Sequence, residues 1–260
     1  MKSILKYFFS TIGYKISRKP NVEIITENNE KPTRFRVGEF EYDLVTPSVK
    51  YSPWLQDLQF MKMYAQISDH TLVDMYRCFE LWDITQIIHQ LNKSVNFIEV
   101  GVWKGGTAAI IGKKLALLNS NANFYICDTF SGVVKASEKD ITYKGGEHAD
   151  TSLEIVENLL SDNYTNIKIL KGVFPNETAQ QIPVNDLFGF CHIDVDVYDS
   201  AKDIVDWIWD KLIIGGVVIF DDYGYSTCTG ITRFVNEQKN SRDRIITYNY
   251  NGHAVMIKIH

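Results

Sequence analysis

The sequence predicts an α/β protein built on a doubly wound, mostly parallel sheet. From residue 95 onward short apolar strands alternate with helices, the first strand ends in a glycine turn, and the chain closes on two strands separated by Asn251 and Gly252. Regular alternation of strands and helices is typical of parallel sheets, and an Asn-Gly turn is typical of a hairpin. We therefore expect a Rossmann-like sheet whose last strand is antiparallel.

The expected elements follow from hydrophobic periodicity and turn residues. Strands are expected at 95–102, 123–128, 166–171, 188–195, 215–221, 243–249 and 253–259, and helices at 107–118, 150–160, 199–211 and 228–239. These elements form a main domain over residues 93–260.

Residues 1–92 are expected to form an N-terminal extension. Residues 1–18 suit a short basic amphipathic helix, and residues 19–50, rich in proline and polar residues, suit an irregular arm with a hairpin around Gly38. Helical spacing returns at 53–66 and 71–91, as a lid or oligomerisation segment. The apolar residues expected to face the core of the second helical segment are Leu72, Met75, Tyr76, Phe79, Trp82 and Ile87.

Composition limits the partners and the compartment. The chain has 260 residues, 45% of them hydrophobic, and a net charge of −5, which gives no general attraction for nucleic acid. Residues 1–20 carry five basic and no acidic residues, so residues 1–18 pack on this chain or on a second subunit, or rest on an anionic membrane surface. The four cysteines are far apart, as in a reducing cytoplasm. No signal peptide or membrane-spanning run is expected.

A glycine turn follows the first strand of the main domain. Gly101, Gly105 and Gly106 let a ligand approach the main chain, and Thr107 is the expected N-cap of the next helix. Backbone N–H groups at a helix N-terminus bind anions.

Two acids accompany that turn. Glu99 lies inside the apolar strand, where a charge needs a partner, and Asp128 ends the next strand, where an acid accepts ribose hydroxyls. Together with the glycines they fit a ligand with an amino group, a carboxylate and a ribose. S-adenosylmethionine matches that description better than NAD.

A second group of acids follows two later strands. Asp194 ends the fourth strand, and Asp221 and Asp222 end the fifth. If these strands are neighbours, the three carboxylates converge with no basic residue between them, and all-oxygen ligation suits Mg²⁺. Asp196 is expected beside the metal, as a base that takes the proton of a hydroxyl.

Other polar residues near these acids have simpler explanations. His192 lies inside the fourth strand and is expected to be a satisfied buried histidine. The long loop from Thr129 to Asp150 is typical of a lid or specificity element, with Tyr143 and His148 able to face a substrate.

Four ordered motifs resemble the macrocin O-methyltransferase family of class I S-adenosylmethionine-dependent enzymes, which methylate sugar hydroxyls of antibiotics. The resemblance runs from about Thr71 to the C-terminus. The motifs are Glu99-Val100-Gly101-Val102-Trp103-Lys104-Gly105-Gly106, Asp128-Thr129-Phe130-Ser131-Gly132, Ile193-Asp194-Val195-Asp196-Val197-Tyr198-Asp199-Ser200, and Lys211 to Gly216 continuing through Asp221-Asp222-Tyr223-Gly224.

This resemblance implies a methyltransferase domain over residues 93–260 and a role for each motif. The cofactor S-adenosylmethionine would contact Glu99, Gly101, Trp103, Gly105, Asp128 and Ser131. Mg²⁺ would be held by Asp194, Asp221 and Asp222, and Asp196 would be the catalytic base. The expected acceptor is a sugar hydroxyl of a glycan or glycosylated metabolite, and the expected enzyme is a cytoplasmic homo-oligomer.

Three alternatives stay open. A phenolic or catechol acceptor would present vicinal hydroxyls to a metal as a sugar does. Asp194 and Asp196 also form the Asp-X-Asp pattern of glycosyltransferases, although the glycine turn after the first strand argues against that activity. A fold that only binds the cofactor or a protein partner is the third alternative, and the intact acids at both strand ends argue against it.

Overall fold

A computed structural model describes residues 22–25, 34–37, 40–43, 45 and 50–260 of the chain. The chain divides into two compact units, residues 1–53 and 54–260. The expected basic helix over residues 1–18 lies outside the described residues.

The first unit contains a small antiparallel sheet. Its strands are β1 (Val22–Ile25), β2 (Arg34–Val37) and β3 (Phe40–Asp43), in the order β1-β2-β3. Val37 pairs with Phe40, so β2 and β3 form the predicted hairpin around Gly38. The sequence did not predict β1, a four-residue strand followed by a polar run, because so short a segment carries little periodicity.

The second unit is organised around a seven-stranded sheet, which confirms the predicted fold class. The strand order is β6-β5-β4-β7-β8-β10-β9. Neighbours from β6 to β8 are parallel, and β10 is antiparallel to both β8 and β9. The strands are β4 (Asn96–Val100), β5 (Phe124–Asp128), β6 (Ile167–Lys171), β7 (Phe188–Ile193), β8 (Leu212–Phe220), β9 (Arg244–Tyr248) and β10 (Ala254–Lys258).

Helices cover both faces of this sheet. They are α1 (Leu58–Gln66), α2 (Met75–Leu91), α3 (Gly106–Leu117), α4 (Leu153–Leu160), α5 (Tyr198–Ile208) and α6 (Thr229–Gln238), with 3₁₀ turns at Pro53–Gln56, Ala179–Gln181 and Trp209–Lys211. One apolar core contains residues of α1 to α4, and the other contains residues of α5 and α6. Across the described residues, no helix has the length and apolarity needed to cross a bilayer.

Helices α1 and α2 belong to the core of the second unit. Phe60 of α1 and Leu81 and Trp82 of α2 are buried in the same cluster as Phe97 of β4. The second compact unit therefore begins at residue 54, whereas the sequence placed the start of the main domain at residue 93.

The buried face of α2 differs from the predicted one. Leu72, just before the helix, and Tyr76 and Ile87 within it are 39%, 48% and 52% exposed, although apolar spacing predicted them in the core. Arg77 is buried instead. The buried face of α2 therefore includes a charged residue, which lies near the carboxyl ends of the strands. Apolar spacing alone could not identify this face.

The start of α3 also corrects a prediction. Gly105, at φ 86°, is the N-cap, and the helix begins at Gly106, so Thr107 lies inside the first turn rather than capping it. Gly106 donates its N–H to the carbonyl of His70 at 3.0 Å. A Cβ on Gly106 would lie 2.6 Å from that carbonyl oxygen, so the close approach requires glycine.

Candidate active site

The candidate site lies where β4, β5, β7 and β8 end. These neighbouring parallel strands bring the glycine turn, Asp128 and the carboxylate cluster of the two later strands to one edge of the sheet. Ligands of doubly wound sheets bind at this edge.

The glycine turn is packed directly against the later strands. Gly101 has φ 84°, and a Cβ there would lie 1.8 Å from the carbonyl oxygen of Asp194. The N–H of Asp194 is bonded to the carbonyl of Val100 at 2.9 Å. The expected cofactor turn and the expected metal strand are thus in contact through their backbones.

Asp128 holds the turn through its side chain. One carboxylate oxygen accepts the N–H groups of Val102 at 2.7 Å and Trp103 at 3.0 Å, and the other accepts the N–H of Phe130 at 2.6 Å. A carboxylate has about four lone-pair sites. Three are occupied by the backbone, which leaves one for a ligand hydroxyl.

Trp103 connects the turn to the end of the long loop. Its backbone has φ 46°, its indole N–H donates to Asp150 at 2.9 Å, and its carbonyl accepts from the Thr151 hydroxyl. Lys104 pairs with the other oxygen of Asp150 at 3.1 Å. Ser131, which follows β5, is exposed.

Glu99 is wholly buried, and its partner is His192. The two side chains meet at 2.8 Å between Glu99 Oε1 and His192 Nδ1, on adjacent strands. Glu99 Oε2 has no hydrogen-bond partner among the described residues. The partner that this buried acid requires is therefore His192 of β7, the strand that leads to Asp194.

The predicted carboxylate cluster forms. Asp194, Asp221 and Asp222 each offer an oxygen within 4.8 Å of the others. Burial and the negative charge of Asp221 raise the pKa of Asp194 and of Asp222 well above the ordinary value. A cation placed among these oxygens would offset that repulsion.

The sequence predicted no basic residue within this cluster, and that prediction is wrong. The guanidinium of Arg77, from α2, is bonded to one oxygen of Asp221, and His253 Nε2 lies 2.7 Å from the other. Burial opposes ionisation of Asp221, yet Arg77, His192 and His253 outweigh it and hold the pKa of Asp221 well below its ordinary value.

These basic residues leave only a weak signal in the sequence. Arg77 occurs within an apolar helical stretch, and His253 directly follows the Asn251-Gly252 turn. A buried charge requires a partner, so each was a candidate neighbour of an acid.

Asp196 lies beside the carboxylate cluster, and its backbone has a positive φ. Strand β7 ends at Ile193, and Asp196 has φ 64°, so the regular strand assumed for its orientation is absent. Its carboxylate lies 3.7 Å from Cys228 Sγ and is bonded to Tyr143 and to Asp222. Burial raises the pKa of Asp196 to about 6, against the opposing effect of the Tyr143 hydrogen bond.

The long loop is fixed over this acid. The buried Asp140 accepts the N–H of Tyr198, at the start of α5, at 3.0 Å, and Lys139 pairs with Asp199 at 2.6 Å. The loop thereby buries Tyr143, whose hydroxyl lies 3.5 Å from Nε2 of the partly exposed His148. Sequence reasoning missed the bond from Tyr143 to Asp196 because it depends on how the loop folds back.

The residues present fit Mg²⁺. Three carboxylates supply only oxygen ligands, which is the donor set that a hard cation prefers. Arg77 and His253 engage Asp221 without using all its lone pairs, because each carboxylate oxygen accepts about two bonds.

Known proteins share the sequence pattern and the fold of this chain. The family model described as macrocin O-methyltransferase matches residues 63–252. Demethyldecarbamoylnovobiocin O-methyltransferase of Streptomyces niveus is 24% identical over 167 residues, which are 59% of this chain and 62% of the relative.

A second relative is 8-demethyl-8-(2,3-dimethoxy-alpha-L-rhamnosyl)-tetracenomycin-C 4'-O-methyltransferase of Streptomyces olivaceus. It is 25% identical over 173 residues, 61% of this chain and 64% of the relative. Each match spans less than two thirds of the relative's length.

Two solved structures share the fold. The O-methyltransferase NovP superposes with a TM-score of 0.66 at 18% identity, covering 81% of this chain and 100% of NovP. CalS11, described as a calicheamicin methyltransferase, gives a TM-score of 0.58 at 14% identity over 81% of this chain and 94% of CalS11.

Proposed function

The chain belongs to the macrocin O-methyltransferase family, and on that premise we propose that it transfers a methyl group from S-adenosylmethionine to a sugar hydroxyl. The acceptor is a glycan or a glycosylated metabolite, and the reaction depends on Mg²⁺. One observation carries the proposal: the glycine turn touches the carboxylate cluster, through Gly101 and the carbonyl of Asp194. A methyl donor and an acceptor bound on the two sides would be neighbours.

The cofactor side is assigned to the ends of β4 and β5. Gly101, Trp103 and Gly105 form the turn, Asp128 has one lone-pair site left, and Ser131 is exposed after β5. Glu99 is also assigned to the cofactor, and its Oε2 has no hydrogen-bond partner among the described residues. When bound there, S-adenosylmethionine supplies an electrophilic methyl group on a positively charged sulfur.

The acceptor side is assigned to the ends of β7 and β8. Asp194, Asp221 and Asp222 would hold Mg²⁺, which supplies positive charge that makes a nearby hydroxyl more acidic. Asp196 takes the proton of the acceptor hydroxyl. Tyr143 and Cys228 contact its carboxylate and orient it for that task.

The names of the relatives support a sugar acceptor. One relative is named for 4'-O-methylation of a rhamnosyl-tetracenomycin, and the other for O-methylation of demethyldecarbamoylnovobiocin. Each matches over less than two thirds of its length, so the acceptor class is tested directly by offering sugars and catechols side by side.

The proposal includes a cytoplasmic homo-oligomer. The four cysteines are buried and unpaired, as expected in a reducing compartment. Leu58 of α1 and Ile87 and Leu91 of α2 are each more than half exposed and would be covered in an oligomer. Light scattering after gel filtration tests the oligomeric state, and a monomer would refute this part of the proposal.

The decisive experiment is a calorimetric titration of metal-free protein with S-adenosylmethionine, repeated with Mg²⁺. We expect binding in both states, because the cofactor side contains none of the three metal-binding acids. NAD, and a nucleotide sugar with Mn²⁺, are the control ligands. Failure to bind S-adenosylmethionine in either state would refute the methyltransferase, and binding of the nucleotide sugar would favour glycosyl transfer.

If the cofactor binds, candidate acceptors are tested next for methyl transfer. Methyl transfer to a rhamnoside that requires Mg²⁺ supports the full proposal. Transfer to a catechol but to no sugar would overturn the acceptor class while leaving the methyltransferase intact.

A further inference from the structure

Asp221 is surrounded by side chains from three other parts of the fold. Its oxygens contact Arg77 of α2 and His253, which directly precedes β10. His192 of β7 lies near one of the same oxygens. Asp221 itself is 3% exposed and both histidines are wholly buried.

Both histidines are held in the same way. Nδ1 of His253 lies 2.6 Å from a carboxylate oxygen of Glu80, and Nδ1 of His192 lies 2.8 Å from Glu99. Each ring presents Nε2 toward the same oxygen of Asp221. His253 Nε2 is within hydrogen-bond distance of it at 2.7 Å, whereas His192 Nε2 lies 3.8 Å away, makes no hydrogen bond among the described residues and acts on Asp221 through its charge. A ring fixed at one nitrogen by a carboxylate has a defined orientation at the other.

A further layer of contacts fixes these partners. Asn249 donates to Glu80 at 2.8 Å, and Arg77 donates to Asp74 at 2.7 Å. Asn251 also donates to Asp74, at 2.6 Å. Helix α2 and the hairpin between β9 and β10 are thereby tied together around Asp221.

Buried ionic groups are a poor source of stability, because removing charges from water offsets most of their attraction. A network of this size is therefore better explained by the geometry that it imposes. Its acids and bases alternate, and it converges on one carboxylate of the cluster that faces the acceptor side.

We propose that Arg77 and the carboxylate–histidine pairs Glu80–His253 and Glu99–His192 are positioning residues that fix the Asp221 carboxylate for metal binding. This inference rests on the proposed function. It also gives Glu99 a role on the metal side, although its sequence motif belongs to the cofactor turn.

One other arrangement uses the same atoms. His192, Asp221 and His253 lie within 4.8 Å of one another and could ligate a metal themselves. The experiment below separates the two arrangements.

The test measures Mn²⁺ binding, by electron paramagnetic resonance, and S-adenosylmethionine binding, by calorimetry, for His253→Ala and Glu80→Gln. Loss of an outer partner of a metal ligand weakens metal binding by about 10 to 100-fold. We expect that loss for Mn²⁺, with cofactor affinity changed less than about 2-fold. His253→Gln, whose amide can donate to Asp221, should recover part of the affinity. Saturating Mg²⁺ should restore kcat.

His89→Ala is the matched control. Like His253, His89 is a buried histidine. It lies on α2, and none of its contacts among the described residues reaches Asp221. It should leave Mn²⁺ affinity unchanged even where it lowers the melting temperature. Equal losses of Mn²⁺ affinity in His89→Ala and His253→Ala would show a purely structural role and overturn the inference.

The remaining outcomes separate this inference from the proposed function. Wild-type protein that binds no Mn²⁺ would refute the metal site itself. Wild-type protein that binds Mn²⁺ only as tightly as His253→Ala does would refute only the positioning role. Zinc binding that is lost in His192→Ala but kept in Asp194→Asn would overturn it in favour of a second metal site.

Discussion

The two sides of the candidate site are built by different means. At the ends of β4 and β5, Asp128 holds three backbone N–H groups that lie within 26 residues of it in sequence. At the ends of β7 and β8, Asp221 is held by side chains, and Arg77 lies 144 residues away. The first side depends on a local motif, and the second depends on the whole fold being assembled.

This difference separates the expected effects of substitution. Changes on the first side should alter the turn and cofactor affinity. Changes on the second side should alter metal binding and chemistry while cofactor binding persists. The substitutions below test that separation, from the largest expected effect to the smallest.

Asp196→Asn should lower kcat about 100 to 10,000-fold, because an amide cannot take the proton of the acceptor hydroxyl. Cofactor affinity, measured by calorimetry, should stay within about 2-fold. Asp206→Asn is the control, since Asp206 is an exposed acid of α5 that pairs with Lys202 at the surface. Comparable turnover in the two variants would remove Asp196 from the mechanism.

Gly101→Ala should lower the free energy of unfolding by at least about 3 kcal/mol and abolish cofactor binding. The added Cβ meets the carbonyl of Asp194 and the backbone has positive φ. Gly146→Ala is the matched control, because Gly146 has φ 86° but no described atom beyond its chain neighbours lies within 4 Å of the place that its Cβ would occupy. It should lose only about 1 kcal/mol in urea unfolding. Similar losses would show that the contact with Asp194 is unimportant.

Asp128→Asn should weaken cofactor binding about 10-fold, the equivalent of one hydrogen bond of about 1.4 kcal/mol. A single amide oxygen cannot accept all three backbone N–H groups. Mn²⁺ affinity should be unchanged, and Asp162→Asn, at an exposed acid, controls for loss of charge. A parallel loss of Mn²⁺ affinity would mean that the two sides are not separable.

Much of the fold and of the site was predictable from the sequence, because the signals were local. The strands are apolar runs in the sequence. Within a few residues of a strand end lie the glycines, Asp128 and Asp194. The antiparallel β10 followed from the Asn-Gly turn. Such features need only the neighbouring residues to be recognised.

The missed features all required tertiary information. Arg77 lies on a helix whose periodicity suggested an apolar face, and His253 lies in a hairpin far from Asp221 in the chain. Tyr143 reaches Asp196 only because Asp140 ties the loop to α5. The N-cap at Gly105 rather than Thr107 depends on the close approach of residue 70.

The four cysteines allow opening of the fold to be followed without any introduced label. Cys78, Cys127, Cys191 and Cys228 are buried on α2, β5, β7 and the start of α6, and burial raises the pKa of each thiol. An aromatic disulfide reagent reacts with thiolates that reach solvent. Labelling rates at the four positions would therefore map which elements separate first under native conditions. Slower labelling of Cys228 on addition of an acceptor would report occupancy beside Asp196.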